Sequence, residues 1–174
     1  LVDNKLKSLD YKIINPHNVR FVDYDHPDGR RTYIRSLCFV LQKVVHEMFP
    51  DKVLVIDYSL PSGLYCEIRE AHDMDDGRPC AYFVTDAEVE HIEARMREII
   101  VADLPFGKKM MSVQDCCRIY ESQHQIEKVN LLKTLGRFNY NVYMLDGYID
   151  TFYGPLVPST GLLSTFSLMA FNDG

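Results

Sequence analysis

The sequence predicts an α+β fold, an antiparallel sheet with helices packed against it. Two observations carry this. Apolar residues recur at helical spacing from Tyr33 and from Thr85, while other runs alternate or flank turn residues as strands do. No strand–helix–strand rhythm links these segments, which separates the pattern from a parallel α/β sheet.

Taken in order, residues 1–24 read as short strands, with Asn18–Tyr24 alternating apolar and polar. Asp25-His26-Pro27-Asp28-Gly29 reads as a turn, because proline presets φ and glycine tolerates positive φ. A helix is expected over about 33–49, carrying Ile34, Leu37, Cys38, Leu41, Val45 and Met48, and ending at Pro50. Val53–Tyr58 and Leu64–Arg69 form a hairpin around Pro61-Ser62-Gly63. Residues 71–80 are polar and expected as loop.

Thr85-Asp86-Ala87-Glu88 is a capping box, and the helix it opens places Val89, Ile92, Met96, Ile99 and Ile100 on one stripe before Pro105. Ser112 caps a further helical stretch, and Ile126, Val129, Leu132 and Leu135 mark another. Strands are expected again at Tyr140–Leu145, Tyr148–Phe152 and Leu163–Phe171.

Composition narrows the function. The 174 residues are 47% apolar and 25% charged, enough for a real core. A net charge of −6 argues against a general binder of DNA or of an anionic membrane, since both are polyanions. No apolar run approaches spanning length and no signal peptide opens the chain, so a cytoplasmic protein is expected. Five cysteines without a framework spacing fit free thiols in a reducing compartment. The chain starts on Leu1 in a strand-like run and stops at Gly174 after another, as a piece of a larger protein would.

Catalytic and metal-binding patterns are missing. The six histidines never pair at i, i+4, and His46 and His91 are expected on helix surfaces. Asp23–Gly29 and His72–Gly77 are acidic turns that miss the calcium-loop spacing, because Pro27 takes one ligand position and the glycines fall out of place. There is no phosphate-binding G-x-x-x-x-G-K-[ST] and no nucleophile elbow; Ser159 and Thr160 read as turn residues.

One stretch is more specific. Asp150-Thr151-Phe152-Tyr153-Gly154-Pro155-Leu156-Val157-Pro158-Ser159-Thr160-Gly161 resembles the D-L-C-R-G-P-H-V-P-S-T-G signature of threonyl-tRNA synthetase editing domains. The helix closing on Asp103-Leu104-Pro105-Phe106, the hairpin at Ser62–Glu67 and Arg35–Leu41 are similar to further segments of that family, so the resemblance covers about 32–171. Residues 1–24 resemble the second half of a TGS domain, which implies a TGS-like part over 1–28 and a degenerate editing-like domain over 29–174.

The resemblance also implies a loss. The family's two helical histidines, its cysteine and its later histidine fall on Arg35, Phe39, Phe152 and Leu156, a cation and three side chains without useful lone pairs. Catalytic residues and a bound metal are therefore not expected, and the apolar three are expected to fill the cleft. Ser36, Tyr65, Asp150, Tyr153 and Ser159 are the polar residues the match places near it.

Such a degenerate pair is similar to the N-terminal region of bacterial nucleoside (uridine-type) kinases. That implies a non-catalytic accessory role beside a downstream kinase domain, which would use ATP and Mg; no cofactor is expected in these 174 residues. Ligand sensing by that accessory region would involve a small molecule; the alternative is a threonyl-tRNA-synthetase-like protein whose domain binds tRNA without hydrolysis.

Overall fold

The computed structural model describes residues 1–61, 63–75 and 78–171, with the backbone alone at 71–75 and 78–80. Its elements are α1 (Pro27–Met48), β1 (Lys52–Leu60), β2 (Gly63–Asp75), β3 (Arg78–Tyr82), α2 (Asp86–Val101), β4 (Gly107–Ser112), α3 (Val113–Ser122), α4 (Ile126–Thr134), β5 (Asn139–Leu145) and β6 (Tyr148–Asp150). The α+β class holds, but the strands form two antiparallel sheets, β1-β2-β3 and β4-β5-β6, rather than one.

Helix α1 starts earlier than expected, because Pro27 suits a first helical position and His26 caps it by accepting from the Asp28 N–H at 3.2 Å. It therefore runs across the boundary expected after residue 28. Helix α2 starts at Thr85 with both halves of the capping box formed, Glu88 N–H to Thr85 Oγ1 and Thr85 N–H to Glu88 Oε2 at 2.8 Å. Ser112 caps α3 by accepting from Asp115 N–H at 3.1 Å.

Several expectations are corrected. Asn18–Tyr24 is not a strand; the N-terminal segment has only isolated bridges, Val2 to Lys5 and Val2 to Val19, and Phe21 is 84% exposed. Alternation makes a ladder only where a neighbour offers an edge. Strand pairing instead claims the polar stretch 71–75 and 78–80, where β2 pairs with β3. Leu163–Phe171 lies irregular against the core, with Leu163 buried and Phe166 and Leu168 packed on it. Ser62, the Asp76-Gly77 end of the second acidic turn and the side chains of His72 and Cys80 lie outside the described residues. Cys38, Cys66, Cys116 and Cys117 are free.

Strand β5 is buried on both faces, which places two cores back to back. Val142 joins Cys116, Cys117, Tyr120, Val129 and Leu132 beneath α3 and α4. Tyr143 and Leu145 face the other way, into the main core with Phe39, Val40, Val44 and Val45 of α1, Ile68 of β2 and Met96 and Ile99 of α2. Alternate strand residues point to opposite faces, so one strand serves both. No described helix is long and apolar enough to cross a membrane.

Candidate functional site

Arg35 and Phe39 are one turn apart on α1 and share a face. Phe39 is fully buried, with ring centroids 5.6 Å from Phe106, 5.5 Å from Tyr148 and 5.5 Å from Phe152. Leu156 belongs to the same buried cluster. The Arg35 Nη1 donates to the Pro155 carbonyl at 2.6 Å, and burial holds its guanidinium below the usual arginine range. Two distant segments thus bring Arg35, Phe39, Phe152 and Leu156 to one place.

The segment 151–158 has no regular structure of its own and is held there by side chains. Ser36, fully buried, accepts from the Val157 N–H at 2.9 Å and donates to the Thr32 carbonyl at 2.8 Å. Tyr143 donates to the Gly154 carbonyl at 2.9 Å. Gly154 has φ +104°, and a Cβ there would sit 2.8 Å from the Arg35 Nη1. Only glycine lets the chain pass so close beneath the guanidinium.

Asp150 is fully buried, and both its carboxylate oxygens accept from Lys128 Nζ at 2.6 Å. Its Oδ1 also accepts from the Thr151 N–H at 2.6 Å. Burial, and secondarily the Asp150 charge, pushes the Tyr120 and Tyr148 phenols upward. Tyr148 stacks edge-on against Phe39, so Asp150 stands one side chain from the aromatic cluster.

Three of the expected polar residues lie elsewhere or play a different part. Tyr153 is 98% exposed. Tyr65 stacks on Tyr58 at 4.8 Å and meets Phe171 edge-on. Ser159 is half-buried and bridges to Pro105 through its backbone. Its neighbour Thr160 is the buried hydroxyl, donating to the Ile99 carbonyl at 2.7 Å and accepting from the Leu104 N–H at 2.9 Å. His46 is half-buried rather than a surface residue, its ring 5.5 Å from that of Tyr148, and burial lowers its pKa; His91 is exposed.

Chemically, the cluster can pack and pin but offers few reactive groups. Arg35 supplies donors only. Phe39, Phe152 and Leu156 supply none. Among the described residues no three His, Cys, Asp or Glu side chains converge as metal ligands would. Lys128 is the group the sequence did not reveal, since no local pattern links it to a carboxylate 22 residues away.

No protein-family model matches the chain. It is 29% identical over 170 residues to the threonine–tRNA ligase of Desulforamulus reducens, covering 97% of this chain and 25% of that protein. The chain is similar to threonine–tRNA ligases. The enzyme of Carboxydothermus hydrogenoformans is 28% identical over 169 residues, 97% of this chain and 25% of the ligase. That of Acidithiobacillus ferrooxidans is 28% identical over 168 residues, 96% and 24%. The chain thus spans about a quarter of the length of these relatives.

Proposed function

We propose that this chain is a threonyl-tRNA-synthetase-type editing module stripped of hydrolytic chemistry, serving a larger protein as a non-catalytic accessory region. The observation that carries this is Phe39: fully buried and ringed by Phe106, Tyr148 and Phe152, it occupies one of the four positions where the resemblance implies a hydrolytic group. Ester hydrolysis needs an activated water or a placed general base. An apolar plug supplies neither.

Two parents are compatible with such a module. Similarity over 97% of the chain favours a synthetase-like protein that still engages tRNA without hydrolysing it. The net charge of −6 favours the other, because tRNA binding rests on cationic contacts to phosphate. That other parent is a nucleoside kinase of the uridine type, in which a separate domain would bind ATP and Mg and this region would regulate or pack against it.

The test has two parts. Single-turnover incubation with Ser-tRNA should show no deacylation above the uncatalysed rate; a clear rate, lost on substituting Asp150, would overturn the non-catalytic reading. Filter binding of uncharged tRNA across a salt series then separates the parents. Binding that weakens steeply with salt supports the synthetase-like protein, and no binding removes the tRNA-binding reading.

A further inference from the structure

Ionisable groups outside the Arg35 cluster meet where the end of α1 runs against β6 and the turn before it. Lys43 of α1 is 2% exposed, and its ammonium is held by the Glu47 carboxylate. It also lies 3.5 Å from Asp146 Oδ2 and 3.4 Å from the Asp146 carbonyl, in the β5–β6 turn. Glu47 is shared, since Arg95 Nε of α2 donates to its other oxygen at 3.2 Å. Beside Lys43 and Glu47 on α1, His46 sets its half-buried ring 5.5 Å from that of Tyr148 in β6.

The surroundings of His46 resist a further positive charge. Helix α1 contributes Lys43 and Glu47, the α3–α4 turn His124, the β5–β6 turn Asp146 and β6 the neutral Tyr148. Behind Tyr148 stands Asp150, which accepts from its hydroxyl at 3.4 Å. Glu47 and a place in the last turn of α1 favour imidazolium. Yet Glu47 is already paired with Lys43 and Arg95, Asp146 with Lys43, and Asp150 with Lys128. Burial wins, and with the charges of His124 and Lys43 it holds the imidazole below its usual value of 6.5.

We infer that His46 is an acid-sensitive wedge, whose protonation parts α1 from β6 and loosens the wall of the Phe39 cluster. A neutral ring packs against Tyr148, whereas an imidazolium there must be hydrated. Strand β6 is that wall: Tyr148 meets Phe39 edge-on at 5.5 Å, and Asp150 leads into the 151–158 segment. The stability His46 contributes is complete above 6.5 and is lost as the pH falls through the depressed folded value. It changes little below that. The wedge is independent of the proposed function, since it acts alike beside a synthetase or a kinase domain.

The test follows the 174-residue chain by NMR from about pH 8 down to about pH 5, above the range where most carboxylates titrate. The His46 imidazole should titrate with a midpoint below 6.5. The amides of Tyr148 and Asp150, paired with Leu145 and Tyr143 of β5, should lose protection several-fold after correction for intrinsic exchange. His46→Gln keeps a neutral polar side chain and should abolish that loss. An imidazole midpoint at or above 6.5, unchanged protection in acid, or the same loss in His46→Gln overturns the inference. Should His46→Gln fail to fold, the unaltered chain decides. The loss must level off below the imidazole's own midpoint, and one that sets in only toward the carboxylate range overturns the inference.

Discussion

The guanidinium of Arg35 covers the backbone of Gly154 and donates to the Pro155 carbonyl at 2.6 Å. One side chain on α1 therefore fixes the conformation of a segment 120 residues later in the chain. With Ser36 accepting from Val157, it clamps 154–157 across the aromatic cluster and keeps water from Phe39.

Gly154→Ala should destabilise the chain by about 1–3 kcal/mol. An L side chain at φ +104° is strained, and its Cβ also meets Arg35. Urea unfolding measures the loss. Adding Arg35→Ala removes the contact but not the dihedral strain, so the double variant should recover only part of it. Full recovery would mean that the backbone is unstrained.

Phe39→Ala should cost about 3–5 kcal/mol, the range for truncating a fully buried phenylalanine. Its ring touches three others, so the surroundings can collapse only partly. Thermal unfolding that shifts by no more than an exposed-site control would show that Phe39 is not the plug described above.

Lys128→Met leaves the Asp150 carboxylate buried without its cation, a loss of about 3 kcal/mol, the low end of the range because Lys128 is 30% exposed. Combining it with Asp150→Asn should cost less than the two changes summed, since the pair is then removed together. A double-mutant cycle closing at zero would dissolve the pair as an energetic unit.

What was legible in the sequence follows from what is local. The capping box at Thr85 and the stripe of α2 are written within four and sixteen residues, and both form. Strand β4 was not legible: Gly107-Lys108-Lys109-Met110-Met111-Ser112 has no clear alternation, and it becomes a strand because β5 offers it an edge. The reverse befell Asn18–Tyr24, which alternates but pairs only through the isolated bridge of Val19 to Val2. At the site, Arg35 and Phe39 were readable as one helical face and 152–156 as one motif, but Lys128 was not. Its link to Asp150 exists only once α4 is laid beside β6.

Acid should loosen the tail. The Leu168 N–H donates to Glu93 Oε2 at 2.7 Å and Arg97 Nε donates to Oε1 at 3.0 Å, and together they hold the Glu93 carboxyl below its usual value of 4.5. A folded pKa below the unfolded one contributes stability that is complete above 4.5 and is lost as pH falls through the depressed folded value. The Leu168 amide resonance should therefore titrate below pH 4.5, and Glu93→Gln should abolish that titration. A midpoint at or above 4.5 would contradict the geometry.

The site itself can be rebuilt. Arg35→His, Phe39→His, Phe152→Cys and Leu156→His together would restore three imidazoles and a thiol at positions that meet in space. Phe39 and Phe152 have ring centroids 5.5 Å apart, Leu156 shares their cluster, and Arg35 already reaches the residue beside it. Such a set has the ligand types of a zinc site. The unaltered chain should take up no stoichiometric zinc, and the quadruple variant should bind it, though weakly. Partners that orient ligating imidazoles are not in place, and their absence typically lowers affinity about 10–100-fold. Two large truncations in the core, Phe39→His and Phe152→Cys, will also lower stability, so binding should be measured by calorimetry at low temperature. Zinc should then raise the melting temperature of the variant and leave that of the parent chain unchanged, because metal bound only by the folded state stabilises it. A folded quadruple variant that is indifferent to zinc would break the correspondence between these four positions and a hydrolytic cluster, and with it the reading of the chain as an editing module that has lost its chemistry.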